Sequence, residues 1–495
     1  MMRMLLLLLP VLLLAQTPRF ANPQRRALLE TAYPEVDRIF EKYFAEKAVP
    51  GMVYGLVVDG ELVRVKAFGV REIGTNEPVT PETAFRIASM TKSYTALAIL
   101  KLRDAGKLSL DDLVSKWIPE LAGLKYPTRD TAPLRVRQLL THGAGFPEDN
   151  PWGDRQLAVS DAELSKWLQG GIPFSTPPDT SFEYSNYGFA LAGRIVAKVS
   201  GKPYAEYLEK EILRPMGLKS TWLEPNDVPP SRRALGYGRR DGKLFEIPAL
   251  RHGSFGPMGG LVTDARDMAK YVAFHLSAEP ARDDIETGPV NRSSVREMQR
   301  AWREGRGSAY GYGLGVSSDC RFGHIVSHGG GLPGSGSYMM WLPDYGVGIF
   351  AMTNLTYTAP TPAIREAFQA LAKTGGLEPR TLAASPVLAA TQNSIVSLWK
   401  SWNDEAANSL AADNLFLDKP RVIYQNEIEE LKSKFKNCKA GELKPLNWLR
   451  GGFEFACDEG RVGVTFTLAP TTPPKVQALR FDANPPVPTA PKCEP

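Results

Sequence analysis

The sequence predicts an α+β fold: one antiparallel sheet flanked by helices with a helical insert, followed by a small C-terminal α+β domain. β-rich runs lie at both ends of the first 375 residues, with mostly helical and loop patterns between them. A change of composition near residues 376–391 sets off the last segment. The 495 residues are 43% hydrophobic and 23% charged, which is typical of globular domains and argues against disorder.

The first elements along the chain are a helix and a hairpin. Apolar residues recur at helical spacing between residues 36 and 44, which predicts a helix that ends before Pro50. Residues 52–58 and 62–70 are β-rich, and Asp59-Gly60 between them is a strong signal for a two-residue turn. The sequence therefore predicts two antiparallel strands at the start of the sheet.

A buried helix and a group of late strands complete this domain. The chain from Ser89 to Ala105 has a helical pattern and is apolar on every side between Ala96 and Leu100, which indicates a helix inside the core. β-rich runs return late, and the predicted strands are 313–316, 324–327, 337–342 and 346–353. Together with the early hairpin, these strands are expected to form one sheet.

A second domain is expected after a linker rich in small residues and proline. The predicted divisions are a signal peptide (1–15), a first domain (16–375), the linker (376–391), a C-terminal α+β domain (392–484) and a Pro-rich tail (485–495). In the C-terminal domain, two amphipathic helical patterns precede β-rich runs at 449–456, 462–468 and 476–481.

The N-terminus has the pattern of an export signal. Arg3 precedes an apolar run over residues 5–14, and Ala15 is a small residue after which a peptidase can cut. The run is too short to be a membrane span, although an uncleaved signal anchor stays an alternative. The sequence therefore predicts a periplasmic or secreted protein without a stable membrane span.

Charge and cysteine content bear on the other partners. The formal charge of +5 is spread along the chain without a dense block of Lys and Arg, so no nucleic-acid partner is expected. In an oxidising compartment the four cysteines can pair in three ways, and the pair Cys438–Cys457 is favoured because a short loop joins it. No cysteine has the CxxC or CxxH spacing of a structural zinc site.

One short segment contains a candidate nucleophile and a candidate base. Ser89-Met90-Thr91-Lys92 puts a hydroxyl and an amine on one face at the start of the buried helix. Backbone N–H groups there stabilise a developing anion, and burial lowers the pKa of a lysine, so that Lys92 can take the proton of Ser89. Taken alone, this pattern is more often a helix cap beside a solvated charge, but a lysine in so apolar a helix argues against that interpretation.

Two further segments supply a proton carrier and backbone donors. Glu183-Tyr184-Ser185-Asn186 precedes an apolar helical run, where a phenol can carry a proton and an amide can donate to a substrate. A turn with a capping Asn is the alternative. His328-Gly329-Gly330-Gly331 follows a predicted strand, where glycines let the backbone approach a ligand and an N–H group can complete an oxyanion hole. Alone, it is equally a Gly-rich turn.

The order S-x-x-K, Y-x-N, H-x-G resembles that of a known family. The chain is similar to the serine β-lactamase and penicillin-binding superfamily, and most of all to its class C β-lactamase-related serine hydrolases. The resemblance covers roughly residues 35–375 and implies a β-lactamase/DD-peptidase-like form of the predicted fold. Supporting stretches lie at residues 85–89, 139–145, 259–261 and 312–315.

The resemblance implies a role for each residue of the three motifs. Ser89 is expected to be the nucleophile, and Lys92 and Tyr184 would share its proton and deliver it to the leaving group. Backbone N–H groups of Ser89 and Gly331 would form the oxyanion hole. The expected substrate-binding residues are Asn186, which would contact the acyl amide, and His328 and Gly330, which would line the opposite wall. No metal or organic cofactor is implied.

The third motif departs from the family pattern in a way that bears on the substrate. Relatives typically carry Lys-Thr-Gly there, and the cation and hydroxyl bind a carboxylate. Unperturbed His328 is mostly neutral at neutral pH, and Gly329 has no hydroxyl. We therefore expect an exported serine hydrolase that acts on esters, amides or D-amino-acid peptides, with β-lactams and cell-wall peptides also open. The alternative is a non-hydrolysing penicillin-binding or peptidoglycan-binding sensor. The oligomeric state is not predicted.

Overall fold

The computed structural model describes residues 20–305 and 307–485. The predicted signal peptide and almost all of the predicted Pro-rich tail lie outside these residues. The described chain divides into two compact units, one of residues 22–379 and one that contains residues 380–485. Within the described ranges, no helix combines the length and the apolar character that a membrane span needs.

An antiparallel sheet forms the centre of the first unit. The strands of this unit are β1 (Gly51–Val58), β2 (Glu61–Glu72), β3 (Glu77–Pro78), β4 (Phe85–Arg86), β5 (Thr221–Trp222), β6 (Gly236–Arg240), β7 (Lys243–Ile247), β8 (Val262–Thr263), β9 (Arg303–Glu304), β10 (Ala309–Tyr310), β11 (Gly315–Asp319), β12 (Gly323–Leu332), β13 (Ser335–Leu342) and β14 (Val347–Thr353). The sheet order is β3-β2-β1-β14-β13-β12-β11-β10-β9. The early hairpin and the late strands therefore share one sheet, which confirms the predicted fold class.

The first and last strands of this unit, β1 and β14, meet inside this sheet. β1 pairs with β14 so that Met52 lies opposite Thr353 and Val58 lies opposite Val347. All residues of β1 are buried, because its alternate side chains enter two different cores, Val53 on one face and Tyr54 on the other. Burial on both faces explains why this segment of the sequence is a continuous apolar run.

Helices cover both faces of the sheet. They are α1 (Arg25–Glu30), α2 (Tyr33–Lys47), α3 (Thr91–Asp104), α4 (Val114–Trp117), α5 (Val136–Leu140), α6 (Asp161–Gln169), α7 (Asn186–Ser200), α8 (Tyr204–Leu208), α9 (Gly256–Gly259), α10 (Ala265–Leu276), α11 (Arg292–Met298) and α12 (Thr361–Lys373). α2 and α12 pack on one face through Phe40 and Phe368. The insert between β3 and β9, which includes α10, packs on the other face. The residues from Ala96 to Leu100 in α3 are fully buried, as predicted.

Three local features differ from the sequence-based expectation. β4, β8 and β5 form a small sheet in the insert, and β6 and β7 form a separate hairpin. β12 continues through the glycines to Leu332, because backbone pairing with β13 carries it past residue 327, where side chains no longer indicate a strand. Ser89 lies in a 3-10 turn, Ala88–Met90, and α3 begins only at Thr91.

The second unit has its own core and sheet. Its elements are α13 (Pro386–Lys400), α14 (Asp404–Leu410), α15 (Leu415–Asp418), α16 (Arg421–Lys434), β15 (Lys439–Ala440), β16 (Lys444–Asn447), β17 (Arg450–Cys457), β18 (Gly460–Leu468) and β19 (Val476–Ala483). The Trp399 ring stacks on Phe455 inside this core. Cys438 and Cys457 form a disulfide, which confirms that predicted pair. α13 begins inside the predicted linker, because the Ser385 side chain accepts a bond from the Leu388 N–H and so caps the helix.

Candidate active site

A tightly held turn presents Ser89. Ala88, directly before it, has a φ of 49°, in the left-handed region that non-glycine residues rarely adopt. The Ser337 hydroxyl donates to the carbonyl of Ile87 over 2.8 Å and ties the turn to β13. Such backbone strain persists only where the surrounding structure holds it, and it is concentrated at functional sites. The Ser89 side chain is thereby fixed in position.

The amine of Lys92 lies beside the Ser89 hydroxyl. Lys92 is fully buried near the start of α3. Its Nζ lies 2.9 Å from Oγ of Ser89, 2.7 Å from Oδ1 of Asn186 and 2.8 Å from the carbonyl oxygen of Met258. Three different parts of the insert therefore converge on one amine.

The surroundings of Lys92 favour its neutral form. Burial lowers the pKa of Lys92 from 10.5 to about 7, against the opposing attraction of Asp149 and Asp154. A neutral amine has two N–H groups and one lone pair. The carbonyl oxygens of Asn186 and Met258 can only accept hydrogen bonds, so they take the two N–H groups. The lone pair is then directed at Oγ of Ser89, as a general base requires.

Tyr184 covers the other side of this pair. Its ring centroid lies 4.8 Å from Nζ of Lys92, and its ring lies against that of His142, with 4.2 Å between centroids. Burial raises the pKa of Tyr184 far above its usual value, although a hydrogen bond with Ser89 opposes the rise. Tyr184 is therefore a protonated phenol within reach of the Ser89 hydroxyl. Its phenol can relay a proton, because it can donate its own proton while it accepts another and so need not become a phenolate.

Asn186 supports Lys92 from the start of α7. Its Oδ1 accepts from Lys92, and its Nδ2 donates to Oδ1 of Asn150 over 2.7 Å. The Asn186 backbone N–H donates to Asp149 over 2.8 Å, which holds the helix start in place. Asn186 is fully buried and is not among the residues that line the cavity at Ser89. The structure therefore brings it to Lys92, and its contact with a substrate amide stays a prediction.

His328 is a neutral imidazole in the cavity wall. Its Nδ1 lies 2.6 Å from the carbonyl oxygen of Gly329, and its Nε2 lies 2.7 Å from the hydroxyl of Tyr310. A carbonyl only accepts, so Nδ1 carries the proton and Nε2 accepts from Tyr310. Burial lowers the pKa of His328 to about 3, and Lys92 adds to this effect whenever its amine is protonated. The third motif therefore contributes no cation.

Glycines let β12 approach the Ser89 turn. A methyl group on Gly330 would lie 2.2 Å from the carbonyl oxygen of Ile87, and one on Gly331 would lie 2.7 Å from the Tyr357 ring. β11 pairs with β12 only as far as Ser327, so among the described strands none covers that edge beyond it. This arrangement places β12 backbone beside Ser89, while the predicted oxyanion hole at Ser89 and Gly331 stays a prediction.

The motifs meet in one cavity of about 580 Å³. It is lined by Ser89, Asn150, Pro151, Asp154, Tyr184, His328, Gly329, Gly330, Gly331, Tyr357 and Ala359. The predicted site residues Ser89, Tyr184, His328, Gly330 and Gly331 line it, whereas Lys92 and Asn186 are fully buried behind it. Sequence analysis missed Asp154, Tyr357 and Tyr310, which belong to none of the three motifs. In the part of the chain that the structure describes, no three His, Cys, Asp or Glu side chains come together as metal ligands.

Comparisons with known proteins agree with this arrangement. The family model for β-lactamase matches residues 36–374. β-Lactamase-like protein 2 of Dictyostelium discoideum is 33% identical over 282 residues, which is 54% of this chain and 50% of that protein. Protein flp of Staphylococcus aureus (strain COL) is 25% identical over 334 residues, which is 66% of this chain and 64% of that protein. The chain thus spans about half to two thirds of the length of these relatives.

A solved structure shares the fold. The octameric penicillin-binding protein homologue from Pyrococcus abyssi superposes with a TM-score of 0.59 at 22% identity, over 90% of this chain and 95% of that one. The family model covers well over half of the sequence and contains all three motifs with the cavity that they form. The chain therefore belongs to the β-lactamase family.

Proposed function

We propose that this protein is a serine hydrolase that forms an acyl-enzyme on Ser89. Membership of the β-lactamase family supports a serine hydrolase-like function. The observation that carries the proposal is the geometry of Lys92: two carbonyl oxygens occupy its N–H groups, and its other contact shorter than 3 Å is with Oγ of Ser89, at 2.9 Å. An amine held in this way, with its pKa lowered to about 7 by burial, is a base for the Ser89 hydroxyl.

The proposed reaction has two halves. The Ser89 proton passes to Nζ of Lys92 while Oγ bonds to the acyl carbon, and backbone N–H groups of Ser89 and Gly331 stabilise the oxyanion. As the oxyanion collapses, the bond to the leaving group breaks, and Lys92 or Tyr184 returns the proton to it. Water then adds to the ester on Ser89, the acid leaves, and the Ser89 hydroxyl is restored. The cavity has room for a substrate and a water molecule.

The cavity favours acyl donors without a carboxylate. Relatives with a lysine in the third motif hold a fixed cation, whereas His328 is neutral here. Among the described residues that line the cavity there is no Lys or Arg. A negatively charged substrate would lose solvation in this cavity without gaining a partner. We propose esters, amides and D-amino-acid peptides as substrates, ahead of penicillins and carboxylate-terminated cell-wall peptides.

We also propose that the protein works outside the cytoplasm. The apolar run at residues 5–14, behind Arg3, supports export. The disulfide between Cys438 and Cys457 supports an oxidising compartment, because such bonds are rare where thiols are kept reduced. Fractionation of cells that produce the full chain tests this proposal. Recovery of the protein in the cytoplasm, with its N-terminus intact, would contradict it.

The proposed activity is tested with a substrate panel on purified protein that lacks residues 1–15. The panel consists of p-nitrophenyl esters, D-aminoacyl p-nitroanilides and nitrocefin, each with wild type and Ser89→Ala. We expect sustained release of chromophore from at least one class by wild type and none above background by Ser89→Ala. A single burst of one equivalent without turnover would favour the non-hydrolysing binder. Equal activity of the two proteins would refute a Ser89 mechanism.

A further inference from the structure

The cavity contains a carboxylate that the proposed reaction does not use. Asp154 lies in a 3-10 turn, Gly153–Arg155, lines the cavity with Ser89, and is only 3% exposed. Its Oδ2 accepts a hydrogen bond from the hydroxyl of Tyr357 over 2.9 Å. Its Oδ1 has no hydrogen-bond partner among the described residues, and this atom is accessible to solvent. Within the described chain Asp154 is in no ion pair of 4 Å or less, so one oxygen is left for a ligand in the cavity.

We propose that Asp154 binds a protonated amine of the substrate, so that the preferred acyl donors are aminoacyl compounds with a free amino group close to the reacting carbonyl. This inference rests on the proposed Ser89 hydrolase function and narrows its substrate class. A buried carboxylate without a cation is unfavourable. An ammonium group supplies both the charge and the hydrogen bond that Oδ1 lacks.

Tyr357 sets the distance between Asp154 and the predicted oxyanion hole. Its ring lies over Gly331, since a methyl group there would be 2.7 Å from Cδ1 of the ring, while its hydroxyl holds Asp154. Tyr357 has a φ of 52°, which a non-glycine residue adopts only when its contacts hold it there. Asp154 and Gly331 are therefore separated by about the length of the Tyr357 side chain. That separation leaves room for an acyl group whose carbonyl oxygen points to Gly331 and whose amine points to Asp154.

The charges around the cavity favour a cation. Arg155 donates to the Tyr357 hydroxyl over 3.1 Å and makes no direct bond to the Asp154 carboxylate. An adjoining cavity of about 450 Å³ shares Tyr184 with the first, and its described lining includes Glu148 and Glu183. No Lys or Arg is among the described residues that line either cavity. A substrate ammonium would therefore approach through surroundings of opposite charge.

Two thioesters of equal size test this inference. Glycine benzyl thioester and propionic acid benzyl thioester differ only by an ammonium group in place of a methyl group. Their hydrolysis by wild type is compared at pH 7 through the released thiol. Each kcat/KM is divided by the rate of uncatalysed hydrolysis of the same thioester, because an α-ammonium group activates the carbonyl by itself. We expect this normalised value to be about tenfold to a hundredfold higher for the glycyl substrate, because hydrogen bonds to charged groups contribute that much in a desolvated site. Equal normalised values for the two substrates would overturn the inference.

A variant then assigns the preference to Asp154. Asp154→Asn keeps an acceptor for Tyr357 and removes the charge, and we expect the ratio of the two kcat/KM values to fall by about tenfold or more. The ratio is the readout, since loss of this charge also acts on Lys92 and so changes both substrates together. The control is Asp241→Asn, which removes a carboxylate from an exposed turn between β6 and β7 and should leave the ratio unchanged. An unchanged ratio in Asp154→Asn would overturn the assignment.

The failure of the inference differs from the failure of the proposed function. If wild type is labelled at Ser89 by a fluorophosphonate and hydrolyses both thioesters with equal normalised kcat/KM, the hydrolase proposal stands and the role of Asp154 does not. If Ser89 is not labelled and neither thioester is hydrolysed, the proposed function itself is refuted, and the inference with it.

Discussion

The Nζ atom of Lys92 lies 2.9 Å from Oγ of Ser89, and its other two contacts shorter than 3 Å are with carbonyl oxygens. A lysine that only carried a charge would be expected near a carboxylate, yet no carboxylate contacts this amine within the described residues. The amine is instead surrounded by acceptors and aromatic rings, those of Tyr184 and Phe189. The first three predictions follow from this arrangement.

Labelling by a fluorophosphonate reports the reactivity of Ser89. Wild type should be labelled, Ser89→Ala should not, and Lys92→Ala should be labelled about 10² to 10⁴ times more slowly, because general-base assistance contributes that much. The measurement is the rate of fluorescence incorporation on a gel. Lys210→Ala, which removes an exposed lysine that pairs with Glu206, is the matched control and should behave as wild type. Strong labelling of Ser89→Ala would end this interpretation.

The rate of labelling should follow the titration of Lys92. The pKa of Lys92 is lowered to about 7, and only the neutral amine can accept the Ser89 proton. Labelling of wild type should therefore rise with pH through about 7 and level off above it. The probe itself does not titrate in this range. A rate that falls between pH 6 and 8 would contradict a lysine base.

Asn186→Asp should move this profile. A carboxylate at position 186 would face Nζ of Lys92 at the distance of the present amide, 2.7 Å. An opposite charge so close favours the protonated amine, so the midpoint should shift to higher pH by about one to three pH units. The pH profile is the diagnostic measurement, because a merely structural effect would lower the rate without moving the midpoint. Asn226→Asp, at an exposed site, should keep the wild-type midpoint.

Two neighbouring glycines of β12 should differ in their tolerance of a methyl group. In Gly330→Ala the new carbon would lie 2.2 Å from both the Ile87 carbonyl oxygen and the Ser337 hydroxyl, whereas in Gly329→Ala it would meet only Tyr338, at 3.3 Å. Gly330→Ala should therefore lose about 1 to 3 kcal/mol of stability and push the Ser89 turn away from β12. Thermal unfolding and labelling rate measure the two effects. Equal behaviour of the two variants would show that the turn and strand are not in close contact.

Much of the fold could be predicted from local signals. Asp59-Gly60 between two β-rich runs predicts the β1–β2 hairpin, and the structure has positive φ at both residues. Asp241-Gly242 has the same turn conformation in the β6–β7 hairpin, but its first strand, Gly236–Arg240, contains two glycines and two arginines and gives no β signal. That hairpin is stabilised by its pairing, which a pattern of side chains does not reveal.

The candidate site was predictable only where a motif is local. Ser89 and Lys92 are three residues apart, so the 3-10 turn and the first turn of α3 that follows it bring them together. The bond between Asp154 and Tyr357 joins residues that are 203 positions apart. Tyr310 meets His328 only because β10, β11 and β12 are neighbours in the sheet. Contacts of this kind depend on tertiary packing, and a single sequence carries no separate signal for them.

Limited proteolysis should separate the two units. Helix α13 begins at Pro386, so of the predicted linker only residues 376–385 lack regular secondary structure. Leu382 in this stretch is 43% exposed. Trypsin should cut after Arg380. Because the first unit has its own cores, it should still be labelled by the fluorophosphonate after the cut, as a shorter band on a reducing gel. Loss of labelling on cleavage would show that the C-terminal segment completes the first unit.

The last prediction concerns the charge of the substrate and follows from the bond between Tyr310 and His328. His328 is a neutral acceptor with a pKa lowered to about 3, and no Lys or Arg is among the lining residues that the structure describes. A site built to pair with a carboxylate rejects substrates that lack it, whereas a site without a cation gains little from one. Short-chain p-nitrophenyl esters should therefore have a higher kcat/KM than benzylpenicillin or a D-Ala-D-Ala peptide. Ester activity should persist from pH 7 to 9, because the neutral fraction of Lys92 rises above one half as the pH passes its pKa of about 7.

A cation at position 328 should change this preference. His328→Lys should shift the ratio of penicillin to ester turnover towards penicillin by about tenfold, because one charge near the cavity surface contributes on the order of 1 kcal/mol. His324→Lys, on the same strand but outside the cavity lining, is the matched control and should leave the ratio unchanged. Thermal unfolding shows whether the buried lysine is tolerated. A folded variant with an unchanged ratio would argue against the third motif as the determinant of substrate charge.

If wild type instead hydrolyses penicillin efficiently and esters barely, the neutral His328 does not determine the choice of substrate, and recognition of the carboxylate must come from another part of the cavity.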